Sequence, residues 1–194
     1  MPIGVLALQG DFREHIAVLE AYGVYAIAVR TIGELERCNG LVIPGGESTV
    51  MQKLAENYGL FDPIKELIRE GFPVFGTCAG LIMLAEEIVD GIEGQKGFGG
   101  LPVAVRRNAF GNQLDSFETD LEFSGIEGEP IHAAFIRAPI VERVGDGVEV
   151  LSKLGDGRIV AVKSGNLLGI SFHPEVTGEK RVHEYFLNMV ETAR

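Results

Sequence analysis

A cysteine between two glycines is the residue of this chain best suited to covalent chemistry. Cys78 lies in the pentapeptide Gly76-Thr77-Cys78-Ala79-Gly80, between an apolar run and a run with helical character. This spacing is typical of a sharp strand-to-helix turn that exposes a nucleophile, where side chains in place of the glycines would clash with backbone. The turn puts the sulfur at a helix N-terminus, which favours the reactive thiolate. A buried structural cysteine is the alternative interpretation.

A histidine and a glutamate near the C-terminus are candidates for activating this thiol. Pro174 biases His173 toward extended backbone, in which residues two apart project to the same side. We therefore expect Glu175 beside His173, where a carboxylate fixes the tautomer of the imidazole and stabilises the imidazolium. A base held in this way activates a cysteine nucleophile. The alternatives are that His173 caps the last helix and that Glu175 is a solvated acid.

Two consecutive glycines occur in Pro44-Gly45-Gly46-Glu47-Ser48, directly after a short apolar run. Without side chains, such a loop lets main-chain N–H groups come close to a ligand. One of these N–H groups, together with that of Ala79, would form an oxyanion hole, in which a single donor is worth about 10²–10³ in rate. An ordinary turn between a strand and a helix is the alternative interpretation of the two glycines.

The elements that must position these groups alternate between strands and helices in the first half of the chain. The predicted strands are apolar and short, and they cover residues 3–8, 24–29, 41–43 and 72–77. The predicted helical segments cover residues 12–22, 33–38, 49–58, 62–70 and 81–88. This alternation predicts an α/β fold with a doubly wound, mostly parallel sheet and helices on both faces. Right-handed crossovers then bring the loops after the strands to one edge, where such sheets bind ligands.

The second half of the chain has a different pattern. A glycine-rich segment at 91–100 predicts a loop that does not touch the chemistry, and a final helix is expected over about 178–193. Further strands, separated by Gly, Asp and Asn turns, are predicted at 101–107, 112–123, 131–137, 148–154, 158–163 and 167–172. This half predicts mixed or antiparallel strands that extend the parallel sheet. We expect residues 1–194 to form a single domain.

Composition excludes several functional classes. The chain has 194 residues, of which 46% are hydrophobic and 23% are charged, as in soluble globular proteins. A formal net charge of −11 argues against nucleic-acid binding, which needs a basic surface. We expect no membrane segment, because no apolar stretch approaches roughly 20 residues, and no signal peptide is predicted. Two distant cysteines predict no disulfide framework, so a reduced, cytoplasmic protein is the simplest interpretation.

Through these motifs the chain resembles the class I, or triad, glutamine amidotransferases. The matching motifs are G-T-C-A-G around Cys78 and H-P-E at 173–175. More closely, the sequence is similar to the glutaminase subunits of pyridoxal 5′-phosphate synthase along almost its whole length. The shared segments are 8–15, 44–49, 75–81, 107–111, 115–118, 135–139 and 171–175. Of these, R-N-A-F-G and F-I-R-A-P are not general amidotransferase motifs, whereas Val50 departs from the threonine that is common in the family.

The resemblance implies an enzyme that hydrolyses L-glutamine to glutamate and ammonia. Cys78 would attack the side-chain amide and form a γ-glutamyl thioester, while His173 transfers protons and Glu175 orients the imidazole. The backbone N–H groups of Gly46 and Ala79 would form the oxyanion hole. The residues that the resemblance assigns to substrate binding are Gly46, Glu47, Ser48, Arg107, Ile136 and Arg137.

The resemblance also implies a partner. Ammonia in neutral water is mostly protonated and then no longer nucleophilic, so a synthase should receive it through a protected path. The synthase subunit of the family uses it, with a pentose phosphate and a triose phosphate, to make pyridoxal 5′-phosphate (vitamin B6) in a large heteromeric complex. The segment with Gln9, Gly10, Asp11 and Arg13 would face this synthase. We expect no cofactor and no metal site, because the histidines at 15, 132, 173 and 183 lack metal-ligand spacing.

Three alternatives stay open on the sequence alone. Arg107 and Arg137 would form structural ion pairs if the resemblance were set aside. Another triad enzyme, either an amidotransferase of a different pathway or a γ-glutamyl peptidase, would differ at Arg107-Asn108 and Ile136-Arg137. A non-enzymatic redox sensor of the same fold would use Cys78 but would need neither His173 nor Glu175.

Overall fold

The computed structural model describes residues 1–110 and 116–193 of the chain. The strands are β1 Ile3–Leu6, β2 Ala26–Val29, β3 Leu41–Ile43, β4 Val74–Thr77, β5 Ala85–Ile88, β6 Leu101–Arg106, β7 Ser116–Leu121, β8 Ile131–Ile136, β9 Ile140–Val144, β10 Glu149–Lys153, β11 Ile159–Ser164 and β12 Leu167–Ile170. The helices are α1 Phe12–Ala21, α2 Ile32–Leu35, α3 Ser48–Asn57, α4 Phe61–Arg69, α5 Ala79–Leu84, α6 Pro174–Thr177 and α7 Arg181–Thr192. The start of the strand predicted at 112–123 lies outside the described residues, as do Gly111 and Asp115 of the family-like segments.

Within the described residues, ten strands form one sheet. Their order is β2-β1-β3-β4-β12-β11-β9-β6-β5, with β10 paired to β11. The first five strands in this order run parallel to their neighbours, whereas β11, β9 and β6 join the sheet through antiparallel pairs. Strands β7 and β8 form a separate antiparallel hairpin. The predicted α/β fold, a mostly parallel sheet extended by antiparallel strands, is confirmed.

Two apolar layers enclose the parallel part of the sheet. Consecutive residues of one strand belong to opposite layers, as Val5 and Leu6 do in β1 and Val42 and Ile43 do in β3. Successive side chains of a strand project to opposite faces, so both faces of these strands are buried. Burial on both sides explains why the strands are continuous apolar runs rather than alternating ones.

Two strands were not predicted from the sequence. The helix predicted over 81–88 ends at Leu84, and Ala85–Ile88 forms β5, which pairs in parallel with β6. Strand β9 was not predicted, although Ile140–Val144 lies between β11 and β6. In both cases, pairing between segments distant in sequence decides the structure. The final helix predicted over about 178–193 is confirmed as α7, and the short helix α6 precedes it and ends at Gly178, which has a left-handed conformation with φ of 73°.

Three neighbouring strands bring the predicted chemistry to one edge of the sheet. Strand β4 lies between β3 and β12, with Gly76 opposite Ile43 on one side and Gly169 on the other. The loops that follow these three strands therefore lie side by side, as expected for the ligand-binding edge of a parallel sheet. No helix in the described part of the chain is both long and apolar enough to cross a membrane.

Candidate active site

Cys78 occupies the sharp turn between β4 and α5. Its backbone is strained, with φ of 51° and ψ of −104°, at the position just before the helix. A Cβ atom on Gly76 would lie 2.5 Å from the backbone of Gly80, and one on Gly80 would lie 2.1 Å from the carbonyl oxygen of Ile43. Both glycines are therefore needed for this turn to pack against the end of β3.

Strand β12 carries His173 to the thiol. The Cys78 backbone N–H donates to the Ile170 carbonyl oxygen at 2.9 Å, which fixes the end of β4 against the end of β12. The His173 backbone N–H donates to the Ala134 carbonyl oxygen at 2.9 Å. His173 and Cys78 line the same cavity, and the Cys78 side chain is one of the groups that raise the pKa of His173. The structure thus brings together a thiol and an imidazole that are far apart in sequence.

Glu175 completes a line of three side chains. Its Oε1 atom lies 2.6 Å from His173 Nδ1, and both residues are buried. His173 has φ of −113° and ψ of 85°, but the extended chain expected to continue to Glu175 was wrong, because α6 begins at Pro174 and a helical turn places Glu175 beside His173. His173 precedes this helix, but its side chain does not cap it.

The charge of the site follows from these contacts. Burial lowers the pKa of His173, but the neighbouring Cys78 side chain and the hydrogen bond to Glu175 outweigh burial and raise the pKa to about 10. His173 is therefore protonated on both ring nitrogens at neutral pH, which suits a proton donor beside the Cys78 sulfur. Asp11 adds a second carboxylate, with Oδ2 3.5 Å from His173 Nδ1.

Asp11, His173 and Glu175 also carry ligand atoms within 4.8 Å of one another. A metal needs the lone pair of a ring nitrogen, whereas the raised pKa of His173 keeps a proton on Nδ1. The two carboxylates therefore suit a protonated His173 ring better than a metal ion. The prediction that the chain has no metal site stays a prediction.

A cavity of about 700 Å³ opens above Cys78. All the residues predicted to bind substrate line it, as do Gln9 and Asp11, which were predicted to face a partner. The lining residues are Gln9, Asp11, Gly46, Glu47, Ser48, Cys78, Ile82, Arg107, Asn108, Phe110, Ile136, Arg137 and His173. Ala79 is buried beside Cys78 as the first residue of α5, while Gly10 and Arg13 are exposed and do not line the cavity.

The side chain of Gln9 braces the glycine loop after β3. Its Oε1 atom accepts a hydrogen bond from the Glu47 backbone N–H at 2.9 Å. Gly46 has φ of 144°, and a Cβ atom there would lie 2.2 Å from Gln9 Oε1. A side chain at position 46 would thus displace Gln9, so this glycine allows the close approach.

Arg107 and Arg137 place two positive charges in the cavity. In the described residues neither side chain forms an ion pair, so the alternative of structural ion pairs finds no support there. Arg137 has φ of 45°, and Cys78 is the one other described non-glycine residue with positive φ. Strained backbone of this kind clusters at functional sites.

Comparison with known proteins decides the family. Residues 5–192 match the model of the SNO glutamine amidotransferase family. The chain belongs to this family. It is 63% identical over 185 residues to a pyridoxal 5′-phosphate synthase subunit PdxT of Leifsonia xyli subsp. xyli. The matched residues cover 95% of this chain and 93% of that protein.

Two further relatives of this amidotransferase agree. The subunit PdxT of Clavibacter sepedonicus is 58% identical over 191 residues, covering 98% of this chain and 91% of that protein. A crystal structure of a glutamine amidotransferase has 50% sequence identity and a TM-score of 0.91, and it covers 97% of this chain and 98% of the other. The predicted family resemblance is confirmed.

Gln95 contacts the site of this amidotransferase although the sequence did not indicate it. Gln95 donates to Ser48 Oγ at 2.8 Å and accepts from Arg107 Nη1 at 3.1 Å and from the Ile92 backbone N–H at 3.3 Å. The loop at 91–100 thus contacts two residues predicted to bind substrate, whereas Gln95 forms no hydrogen bond with Cys78, His173 or Glu175 in the described residues. A single glutamine in a glycine-rich loop has no distinguishing pattern, since its role depends on two partners from other segments.

Proposed function

We propose that this protein is the glutaminase subunit of a pyridoxal 5′-phosphate synthase. It hydrolyses L-glutamine to glutamate and ammonia and delivers the ammonia to the synthase subunit. The observation that carries this proposal is the Cys78–His173–Glu175 line at the base of a cavity that also holds two arginines. The relatives named as synthase subunits support the pathway.

The first half of the reaction forms a thioester. The Cys78 thiolate attacks the γ-carbon of the glutamine amide, and the N–H groups of Gly46 and Ala79 stabilise the oxygen anion of the tetrahedral intermediate. The imidazolium of His173 gives its proton to the leaving nitrogen, the C–N bond breaks, and ammonia departs. Glu175 holds the imidazole in the orientation and tautomer that this transfer needs.

The second half releases glutamate. His173, now neutral, takes a proton from a water molecule as the water attacks the γ-carbon of the thioester. The intermediate collapses with cleavage of the C–S bond, which restores the Cys78 thiolate and the imidazolium. The same three side chains therefore serve both steps, and no cofactor takes part.

The walls of the cavity suit the amino-acid part of glutamine. Arg107 and Arg137 supply positive charge for the α-carboxylate, and Glu47 supplies negative charge for the α-ammonium group. Ser48 and Ile136 complete the substrate-binding set together with Gly46. Ile136 also lies close to the nucleophile, because its carbonyl oxygen is 4.0 Å from Cys78 Sγ.

The proposal also includes the synthase-facing segment, the domain organisation and the cellular location of the protein. The segment of Gln9, Gly10, Asp11 and Arg13 faces the synthase in a large heteromeric complex. Residues 1–194 act as one glutaminase domain. A cytoplasmic location follows from the requirement that Cys78 stay reduced for catalysis.

Mass spectrometry with a glutamine-mimicking electrophile tests the proposal, with the synthase present and absent. We expect one covalent adduct, on Cys78, and its loss in Cys78→Ala together with a fall in glutaminase activity of at least about 10³-fold. Cys38→Ala is the matched control, because Cys38 is buried and burial raises its pKa to about 11.

The outcomes separate the alternatives. Full glutaminase activity in Cys78→Ala would end the proposal. Ammonia release without formation of pyridoxal 5′-phosphate, when synthase and both sugar phosphates are present, would indicate another amidotransferase pathway or a γ-glutamyl peptidase. A Cys78 thiol that reacts with oxidants but forms no adduct with the glutamine mimic would favour the redox sensor.

A further inference from the structure

A buried line of polar side chains continues behind the triad, on the side away from the cavity. His15 of α1 and His183 of α7 are both fully buried, and His15 Nδ1 lies 2.8 Å from His183 Nε2. On its other side, His15 Nε2 lies 3.2 Å from Thr77 Oγ1, on the residue just before the nucleophile. The line thus connects two helices to the end of β4.

The line ends at the second oxygen of Glu175. Glu175 Oε1 contacts His173, but Oε2 is buried without a hydrogen-bond partner among the described residues. His15 Nε2 lies 3.6 Å from this oxygen, which is too long for a hydrogen bond but close enough for electrostatic attraction. A buried carboxylate oxygen without a donor is costly, so a donor at this distance is significant.

The contacts favour one arrangement of protons. If His183 donates from Nε2, then His15 accepts at Nδ1 and carries its own proton on Nε2, facing Thr77 and Glu175. The Nδ1 atom of His183, which is buried and has no partner within the described residues, is then a lone pair rather than an unpaired N–H. The opposite arrangement would bury an unpaired N–H on His183 and turn a lone pair of His15 toward a carboxylate.

The surroundings keep both rings neutral. Burial, together with the nearby rings of His183 and His173, lowers the pKa of His15 well below its usual range. Burial lowers the pKa of His183 to about 4. Phe75 packs edge-on against both imidazoles and fixes their planes. A neutral ring has one N–H group, so the position of the proton on each ring determines which nitrogen donates and which accepts.

We propose that His15 and His183 are positioning residues for the triad, with His183 fixing the tautomer of His15 so that His15 presents its N–H to the free oxygen of Glu175. Glu175 is thereby held from both sides, by His173 at Oε1 and by His15 at Oε2. This inference rests on the proposed glutaminase function, because it assigns how the base of that site is oriented. Neither histidine touches the substrate.

Glutaminase kinetics of variants, measured in the complex with the synthase, test the role. In His15→Leu we expect kcat to fall about tenfold or more, because the buried Oε2 atom of Glu175 loses the N–H group that faces it, with KM unchanged within about twofold. His15→Gln places an amide N–H where Nε2 was, so it should restore most of kcat. His132→Gln is the control, because His132 is exposed and lies outside this line.

Histidine nitrogen NMR of the unmodified chain provides a readout that is independent of activity. Two-bond nitrogen–proton correlations should show both His15 and His183 as neutral rings protonated at Nε2. This measurement also decides the proposal if His15→Leu does not fold. If the wild type hydrolyses no glutamine, the proposed function fails while the tautomer result still stands.

Three results would overturn the inference. The first is a kcat of wild-type size in His15→Leu. The second is an equal loss in His15→Leu and His15→Gln, which would indicate packing alone. The third is a His15 ring protonated at Nδ1, which would turn a lone pair toward Glu175.

Discussion

At the scale of single residues, Gln95 fixes two polar side chains of the cavity wall through hydrogen bonds. Its amide donates to Ser48 and accepts from Arg107, so one side chain sets the positions of two groups assigned to the substrate. A guanidinium without such a partner has several rotamers, and binding a carboxylate must then order it. Gln95 thus prepares the cavity for a charged substrate before the substrate arrives.

We therefore expect Gln95→Ala to raise the KM for glutamine about tenfold, because a hydrogen bond to a charged group is lost. The effect on kcat should be small, since Cys78 and His173 are not touched. Steady-state kinetics with the synthase present measure both constants. Lys96→Ala is the matched neighbour, because Lys96 is exposed and only its backbone forms a hydrogen bond in the described residues. A tenfold loss of kcat at constant KM would contradict this role.

The sequence predicted the three side chains that we propose for catalysis but not the residues that contact the site from other segments. Cys78, His173 and Glu175 belong to short local patterns, in which spacing alone carries information about chemistry. Gln95 and His15 act through contacts between segments that are distant in sequence. Such contacts leave no periodicity or motif in a single sequence, so only the fold reveals them.

At the scale of elements, the junction of β3, β4 and α5 determines where the nucleophile points. Helix α5 begins directly after Cys78 and passes so close to β3 that a Cβ atom on Gly80 would lie 2.1 Å from the Ile43 carbonyl oxygen. The same close approach brings the loop after β3 beside the sulfur. The geometry of the turn therefore depends on a glycine that takes no part in the reaction.

Gly80→Ala should lower the free energy of unfolding by at least about 2 kcal/mol, because the added methyl group would lie 2.1 Å from the Ile43 oxygen. Activity should fall as well, since α5 must move to relieve the clash. Urea unfolding followed by circular dichroism measures the loss.

Gly33→Ala is the matched control for this substitution. Gly33 lies in α2 with no atom within 4 Å of the added carbon, and alanine is favoured over glycine in a helix. It should leave stability unchanged or raise it by about 0.5–1 kcal/mol. Equal stability of the Gly80→Ala and wild-type proteins would mean that the turn tolerates a side chain.

The elements themselves were predictable to different degrees. Strands β1, β3 and β4 are apolar runs because both faces of the sheet are covered, and this pattern is local. Strand β5 follows a helix without a break and exists because it pairs with β6. The four residues Ala-Glu-Glu-Ile of β5 have no periodicity that distinguishes a helix from a strand, so the partner in the sheet decides.

At the scale of the whole molecule, the buried histidines couple the site to global stability. His15 and His183 come from opposite ends of the chain and meet in the core between α1, α7 and β4. Burial lowers the pKa of both rings below the usual histidine value. The unfolded chain therefore binds protons that the folded chain excludes, and acid must favour unfolding.

The direction of the pH dependence and the pH range in which it occurs follow from His183. Burial lowers the pKa of this residue from an ordinary value of 6.5 to about 4. Its stabilising contribution is fully present above pH 6.5 and is lost as the pH falls toward 4. A difference of this size corresponds to about 3 kcal/mol of unfolding free energy. Wild-type stability should thus decline steeply across this window, in urea unfolding measured at steps of pH.

His183→Leu removes the titrating group, so its unfolding free energy should decline less steeply than that of the wild type over the same window, even if the variant is less stable at pH 7. His132→Gln is the control, because it removes a histidine whose pKa shift has the opposite sign. Hydrogen bonds with Asp120 and Glu118 raise the pKa of this exposed residue. Any stability from His132 is present at low pH and is lost as the pH rises through its folded pKa, so its removal should not flatten the acid decline. Parallel pH profiles for the wild type and His183→Leu would show that His183 accepts a proton in the folded protein as readily as in the unfolded chain, and a neutral buried pair would then be excluded.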